Sequence, residues 1–159
     1  MTMRRAVLAA ALAAALAAPA VAQQRYWYDG AQRRPLWVEP SVLAEFSGPR
    51  AEKSQVVKPT ALVKSPQAAS PVFRDATGRP RALPGGVMLR FLERTPEAGR
   101  AALLARHGLA AARELGDGSG TWLVDTPPGT AALDLANRLF ESGDFAAAAP
   151  NWWQPRALK

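Results

Sequence analysis

The chain has 159 residues, no cysteine and a formal net charge of +7, with 20 Lys and Arg against 13 Asp and Glu. This length suits one compact domain with an extension, and the missing cysteines exclude disulfides and thiolate metal sites. The basic residues are scattered rather than gathered with aromatic residues into a stripe, which favours a solvated basic surface over nucleic-acid binding.

The first 22 residues have the pattern of a secretory signal peptide. Arg4 and Arg5 form a short positive segment, and an apolar run follows from Ala6 to Ala18. This run is too short to stay in a bilayer as a stable anchor, and Ala20-Val21-Ala22 fits the small-residue cleavage rule. We therefore predict a secreted or periplasmic protein that starts at Gln23 and makes no membrane contact after cleavage. An uncleaved anchor is the alternative.

Residues 23–46 predict a small β-hairpin extension. Tyr26-Trp27-Tyr28 favours a strand, Asp29-Gly30 favours a turn, and Leu36-Trp37-Val38 can return as the second strand. A third short strand is expected at residues 42–46. The aromatic side chains fit a hairpin core, and a carbohydrate- or peptide-binding platform is the alternative.

Residues 47–84 are rich in proline and predict a connector between the hairpin and the next folded unit. The part from Ser47 to Pro71 is expected to be mobile and sensitive to proteases, with one short strand at Ala61-Leu62-Val63.

Residues 85–151 predict a second unit, which begins with a strand at residues 87–91. A helix then starts at Thr95-Pro96-Glu97, where Thr95 can cap the helix and Pro96 can occupy its first turn. The helix carries Ala101, Leu104 and Ala105 on one side and ends at Gly108, a favoured C-terminal residue. The second strand is expected at residues 109–115.

The same unit continues with a third strand, a second helix and a last strand. Trp122 and Val124 share one face of the third strand, and Thr130 is expected to cap the helix. The helix ends at Gly143, and Phe145 opens the last strand. Apolar residues recur along the helix at helical spacing, and the predicted core of the unit consists of Leu104, Trp122, Leu133, Leu139 and Phe140.

This element order predicts an α+β fold. Right-handed crossovers place both helices on one face of a four-stranded antiparallel sheet, which is the ferredoxin-like βαββαβ arrangement. The opposite face has no helix of its own, and a half-apolar uncovered face is typical of a docking surface; the hairpin is the alternative cover. The residues expected on this face are Met88, Arg90, Leu92, Leu123 and Ala146.

The order of several short motifs resembles the propeptide of subtilisin-like serine proteases, the peptidase inhibitor propeptide family. In residues 85–151 the motifs are Thr121-Trp122-Leu123-Val124, Leu135-Ala136-Asn137, Glu141-Ser142-Gly143 and Ala148-Ala149-Pro150-Asn151. The earlier part of the chain resembles the longer prodomain of the fervidolysin type. There the matching pieces are Tyr26-Trp27-Tyr28-Asp29-Gly30, Pro35-Leu36, Pro71-Val72-Phe73-Arg74 and the strand Val87–Phe91.

The resemblance implies a protein partner. In that family the sheet packs against two surface helices of the protease, and the propeptide's tail lies in the active-site cleft like a cleaved product. Carried over to this chain, the tail of residues 152–159 would place Arg156, Ala157, Leu158 and Lys159 in the substrate pockets. Trp152 and Trp153 either anchor to the partner or fold back onto the chain.

One feature of the family is missing here. The family usually carries an acidic residue near the final strand, where it caps exposed helix N-termini of the protease. The corresponding positions in this chain are Ala146 and Ala149, and Asp144 is the nearest acid.

The resemblance therefore predicts a non-catalytic protein that binds a subtilisin-like serine protease in trans, as an inhibitor or a folding chaperone. The alternatives are a prodomain fragment whose protease is encoded separately or lost, and a periplasmic binding module that kept the fold. No cofactor, metal or nucleic acid is expected.

No catalytic motif stands out in the sequence. His107, the one histidine, falls near the predicted end of a helix, where a capping or surface role suits it better than catalysis. Asp117 and Ser119 lie in a Gly-rich turn without the Gly-x-Ser-x-Gly pattern. That turn also lacks the Gly-Lys-Ser/Thr ending of a phosphate loop. We therefore predict that the chain is not an enzyme.

Overall fold

The computed structural model describes residues 24–47 and 54–154, and the predicted signal peptide lies outside this part. These residues form an α+β structure with two antiparallel sheets and two α-helices. We call the sheet of β1–β5 the N-terminal sheet and the sheet of β6–β9 the C-terminal sheet. The strands of the N-terminal sheet are β1 (Gln24–Asp29), β2 (Gln32–Ser47), β3 (Ser54–Pro59), β4 (Ala69–Arg74) and β5 (Pro80–Arg81).

The N-terminal sheet begins with the hairpin that the sequence predicted. β1 and β2 pair antiparallel with Asp29 opposite Gln32, and Gly30 sits in the turn at φ 59°. A third strand was expected at residues 42–46, but β2 continues through this segment. Its register shifts between Val38 and Leu43, where Ser41 takes a φ of 68°. The local break is therefore an irregularity within one long strand.

Three segments of the expected connector at residues 47–84 are strands of the N-terminal sheet, namely β3, β4 and β5. β4 pairs with both β2 and β5, and β3 pairs with β2. Residues 60–62 form a 3-10 turn rather than the predicted strand. Pro71 has no N–H to donate to a neighbouring strand. It is tolerated in β4 because β5 pairs only with Phe73 and Arg74, so Pro71 has no partner strand on the β5 side. Residues 48–53 of the expected connector lie outside the described part of the chain.

The C-terminal sheet is antiparallel, with strand order β7-β8-β6-β9. One helix follows β6 and the other follows β8. The elements are β6 (Val87–Phe91), α1 (Glu97–Arg106), β7 (Arg113–Glu114), β8 (Thr121–Val124), α2 (Thr130–Glu141) and β9 (Phe145–Pro150).

Both predicted helix caps were wrong in detail. Pro96 is the N-cap residue of α1 and Gly129 that of α2, and neither helix start has a side-chain capping bond. Gly129 has a φ of 107° and donates its N–H to the carbonyl of Leu83 at 3.0 Å. Glycine adopts this positive φ without strain, whereas a residue with a Cβ would be strained there.

Two further local predictions were wrong. In α1, Leu104 is buried but Ala101 and Ala105 are exposed. The expected strand at residues 109–115 is reduced to β7, because the Ala112 N–H closes a turn onto the Leu109 carbonyl at 2.8 Å. Gly108 and Gly143 follow the helices at positive φ, as their places in the sequence predict.

The core of the C-terminal sheet lies between the sheet and the two helices. Alternate residues of β6, β8 and β9 supply one side, and Leu104 and Leu139 of the helices supply the other. Trp122 and Phe140 are half-buried at its edge. Leu133, expected in this core, belongs to a different cluster. The buried members of the core are Val87, Leu89, Leu104, Leu109, Val124, Ala132, Ala136, Leu139, Phe145 and Ala148.

A second apolar cluster connects the two sheets. We call it the joining cluster. It consists of Leu36 of β2, Phe73 of β4, Leu133 of α2, and Leu83, which follows β5; each is at most 1% exposed. Helix α2 therefore buries residues on two sides, one against its own sheet and one against the N-terminal sheet. Trp27 and Trp152 pack on the joining cluster at its edge.

A buried ion pair lies beside the joining cluster. Arg81 donates from Nε to Asp75 Oδ2 at 3.1 Å, and both side chains are almost fully buried. The Arg81 guanidinium lies 4.8 Å from the ring of Trp27 and 5.7 Å from that of Trp152. Asp75 Oδ1 also accepts from both the N–H and the hydroxyl of Thr77. Burial alone would raise the pKa of Asp75, but these hydrogen bonds outweigh it and hold the pKa well below its usual range.

We expect replacement of Leu139 by Ala to lower the free energy of unfolding by about 2–5 kcal/mol, because Leu139 is 2% exposed in the core. Leu62→Ala is the control. Leu62 is 62% exposed, so its replacement should change the free energy of unfolding by less than about 0.5 kcal/mol. Urea unfolding followed by circular dichroism measures both. Similar losses in the two variants would mean that the core face of α2 is assigned wrongly.

We expect Asp75→Asn to cost about 3–5 kcal/mol at pH 7, because it leaves the buried Arg81 guanidinium without a carboxylate. Asp29→Asn removes an exposed carboxylate 3.7 Å from Arg34 and should cost less than about 1 kcal/mol. The pKa of Asp75 in the folded protein lies below its ordinary value of 3.8. The stability that the ionised carboxylate contributes is therefore complete above pH 3.8 and is lost as the pH falls further. The difference between wild type and Asp75→Asn should therefore shrink in urea titrations between pH 5 and about pH 3. A constant difference would contradict this assignment.

Candidate functional site

The face of the C-terminal sheet that faces away from the core is the main candidate site. The strand register aligns Met88 with Leu123 on one neighbour and with Ala149 on the other. The next row aligns Arg90 with Thr121 and Ala147. Residues directly opposite each other share a face of the sheet, and the core takes the alternate residues. We call this surface, made of Met88, Arg90, Thr121, Leu123, Ala147 and Ala149, the open face.

The open face is apolar at its centre and basic beside it. Leu123 is buried, Met88 and Ala149 are half-buried, and Arg90 is exposed. Leu123 packs against the backbone at Gly86, where an added Cβ would lie 3.2 Å from Leu123 Cδ1. Gly86 also has a φ of 95°, so a larger residue there would be strained as well as crowded. The same register places exposed Arg113 of β7 opposite Leu123, so Arg113 also belongs to the open face, which carries two positive charges. The arrangement suits a contact with another protein surface.

Of the residues predicted for this face, Ala146 lies in a β-bulge at its edge and Leu92 lies elsewhere. The pairing of β6 with β9 shifts between Arg90 and Phe91, so Ala146 is an extra residue in β9, exposed beside Ala147. Phe145 and Ala148 on either side belong to the core, so Ala146 and Ala147 both face away from it. Leu92 follows the end of β6 and lines a groove with Pro96 and Leu103.

The hairpin does not cover the open face; it packs on α2. The Arg25 guanidinium donates to Asp134 at 2.7 Å, and Asn137 donates from Nδ2 to the Tyr26 carbonyl at 2.9 Å. The hydroxyls of Tyr26 and Tyr28 both donate to Glu141. The hydrogen bond to this carboxylate raises the pKa of Tyr26. The aromatic residues of β1 thus serve as packing on the helix, and the alternative cover expected from the sequence is not found.

Both tryptophans that follow β9 fold back onto the N-terminal sheet. The Trp152 ring lies 5.5 Å from Trp27 and 6.1 Å from Phe73, edge to face. Trp153 exchanges two backbone hydrogen bonds with Ala82, at 2.9 and 3.1 Å, and packs near the buried Phe46. The sequence left anchoring to a partner and folding back equally open, and in the structure they fold back. The expected pocket residues Arg156, Ala157, Leu158 and Lys159 lie outside the described residues.

Asp144, the acid nearest the final strand, is engaged within the chain. It accepts from His107 Nε2 at 2.8 Å and from Arg106 Nη2 at 2.7 Å. The hydrogen bond from His107, and then that from Arg106, hold the pKa of Asp144 below its usual range. The carboxylate therefore stabilises the end of α1. An outside helix would have to compete with these two hydrogen bonds for it.

The described residues contain no cluster of three or more His, Asp or Glu side chains that could hold a metal ion. His107 pairs with Asp144, and Asp144 lies far along the chain from Ser119. Asp117 accepts the Ser119 N–H at 2.9 Å, which is an ordinary turn interaction. Within the described part of the chain, no helix is long and apolar enough to cross a membrane.

Sequence reasoning missed the residues that attach the hairpin and the tail. Asn137 and Glu141 continue from Leu133 along one side of α2, but polar residues there resemble an ordinary solvated face. Asp75 begins the segment Asp75-Ala76-Thr77-Gly78, a strong turn pattern. That pattern signals a turn but does not identify Arg81 as its buried partner.

Comparison of the chain with family models, with curated proteins and with solved structures found no match. The functional argument therefore rests on the geometry above and on the motifs in the sequence.

We expect Trp152→Ala to lower the free energy of unfolding by about 3 kcal/mol, because the ring packs between Trp27 and Phe73. Trp37→Ala is the matched control. Trp37 is among the exposed large side chains, so this substitution should lower the free energy of unfolding by about 1 kcal/mol or less. Chemical denaturation of both variants makes the measurement. Equal losses would contradict the anchoring role of Trp152.

Proposed function

We propose that this chain is a secreted, non-catalytic, prodomain-like protein that binds a subtilisin-like serine protease in trans, as an inhibitor or a folding chaperone. The open face is the observation that carries the proposal. It combines buried Leu123 and half-buried Met88 with exposed Arg90, and the hairpin leaves it uncovered. The sequence motifs that resemble subtilase propeptides supply the class of partner.

The fold supports the proposal at the level of the C-terminal sheet. We propose that this part is ferredoxin-like. Its element order is strand, helix, strand, strand, helix, strand, and its strand order is β7-β8-β6-β9. Residues from both helices meet alternate sheet residues in one core, which is what right-handed crossovers on one face would produce.

The proposed complex has two contacts. The open face would pack on the protease, and Arg156, Ala157, Leu158 and Lys159 would lie in its cleft as a bound product. Two linked contacts raise the overall affinity even when each is weak. Export by the predicted signal peptide would bring the protein to the compartment of a secreted protease.

The alternative is a periplasmic binding module that kept the fold but not the partner. The internal use of Trp152, Trp153 and Asp144 favours it, because these groups are then less available for a protease. A third possibility is a prodomain fragment whose protease is encoded separately or lost. A subtilase gene immediately downstream would favour a protease partner over the binding module.

The test is a titration of subtilisin-like proteases with the secreted form of the protein. We expect saturable inhibition, or faster refolding of the protease. Arg90→Glu should weaken binding at least tenfold, about 1.4 kcal/mol, because it reverses one of the two charges on the open face. Lys64→Glu makes a similar charge change on an exposed turn outside the open face and should have little effect.

Deletion of residues 156–159 separates the two proposed contacts. If the tail binds as a product, its loss should abolish most of the inhibition while the circular dichroism spectrum stays unchanged. Equal inhibition by the full and shortened proteins would exclude the product-like mechanism. No binding to any protease tested would favour the alternative module.

A further inference from the structure

A small cavity in the N-terminal sheet is separate from the open face. It has a volume of about 180 Å³ and lies between the β1–β2 hairpin and the turn before β5. We call it the arginine cavity, because Arg34, Arg79 and Arg81 line it together with Trp27, Asp75 and Thr77. The three arginines come from three places in the chain: β2, the turn after Asp75, and β5.

The acceptors in the arginine cavity are already in use. Asp75 Oδ1 accepts the Thr77 N–H at 2.9 Å, the Thr77 hydroxyl at 2.6 Å and the Arg79 N–H at 3.1 Å. Asp75 Oδ2 accepts from Arg81 Nε. The Thr77 hydroxyl oxygen itself accepts from Arg79 Nε at 2.9 Å. A carboxylate with this many partners has little capacity left for the remaining guanidinium N–H groups.

Several donors, by contrast, are left over. Within the described part of the chain, Arg81 makes one hydrogen bond, from Nε, so its two Nη groups have none. The indole Nε1 of Trp27 is buried without a hydrogen-bond partner among the described residues. The Arg81 Nη groups are not among the buried atoms without a partner, so they are open to solvent and a ligand that supplies oxygen acceptors can reach them.

The charge of the cavity lining also favours an anion. Three guanidinium groups face two carboxylates, Asp75 and Asp29, which leaves one positive charge. Asp29 pairs only loosely, at 3.7 Å from Arg34 Nε. Guanidinium groups bind oxyanions through short, charge-assisted hydrogen bonds, and groups that converge from different directions match a tetrahedral oxyanion better than a planar carboxylate.

We propose that the arginine cavity binds a small tetrahedral oxyanion of the phosphate or sulfate type. Arg79 and Arg34 would hold the anion at the mouth, and the Nη groups of Arg81 would meet it inside. Such an anion would also tie the hairpin to the turn before β5, beside the contact of Arg81 with Trp152.

The test is isothermal titration of the protein with inorganic phosphate at pH 7, against sodium chloride at the same ionic strength. We expect saturable binding of phosphate and a phosphate-dependent rise in Tm, with no such response to chloride. Sulfate should act like phosphate, and acetate should bind at least fivefold more weakly.

Two variants give the decisive comparison. Arg79→Gln should reduce phosphate affinity at least fivefold, and its side chain is 65% exposed, so folding should survive. Arg106→Gln is the matched control: its side chain is 63% exposed and pairs with Asp144 outside the cavity, so phosphate affinity should stay unchanged. Arg34→Gln removes a second guanidinium group at the mouth of the arginine cavity and should independently reduce phosphate affinity.

The proposal is overturned if phosphate and chloride have the same effect on Tm. It is also overturned if Arg79→Gln and Arg34→Gln bind phosphate as the wild type does. Acetate binding as tightly as phosphate would overturn the choice of a tetrahedral anion. These results are independent of the protease titration, since none of the cavity residues belongs to the open face.

Discussion

The packing of Leu133 against Leu36, Phe73 and Leu83 is the contact on which the rest of the structure depends. Helix α2 buries Ala132, Ala136 and Leu139 against the C-terminal sheet and turns Leu133 to the N-terminal sheet. One helix therefore serves two cores. The two-residue strand β5 is too short to hold a core of its own, and a two-stranded hairpin such as β1–β2 is at best marginally stable alone. Their order follows from the surface that α2 offers them.

This arrangement also determines which surfaces remain for other molecules. The hairpin contacts α2 through Arg25, Tyr26 and Tyr28, on the helix side of the C-terminal sheet. The hairpin therefore does not cover the sheet's other side, which carries Met88 and Arg90. The chain after β9 is drawn to the N-terminal sheet by Trp152 and Trp153, and Trp153 pairs with Ala82. In the proposed complex, residues 156–159 would have to reach a protease cleft from there.

Local features of the fold could be predicted from the sequence, because they depend on neighbouring residues. The turn at Asp29-Gly30, the α2 stripe of Ala136 and Leu139 and the helix ends at Gly108 and Gly143 are all of this kind. The pairing of β3, β4 and β5 was missed because proline-rich segments favour loops, and only distant partners such as β2 turn them into strands. Periodicity showed that Leu133 is buried, but spacing along one helix cannot say which of two cores receives it. The same limit applies to the candidate site: alternation identified Met88, Arg90 and Leu123, whereas the bulge that adds Ala147 and Ala149 to the face depends on how β9 pairs with β6.

Native-state hydrogen exchange tests most directly whether the joining cluster makes the two sheets one unit. Amides of Val72 and Phe73 in β4 report on the N-terminal sheet, and amides of Ala136 and Leu139 in α2 report on the C-terminal core. We expect both sets to exchange with the same free energy of opening and the same dependence on denaturant, as in a single cooperative unfolding. If the β4 amides instead exchange through a separate opening of much lower free energy while the α2 amides stay protected, the joining cluster does not hold the sheets together.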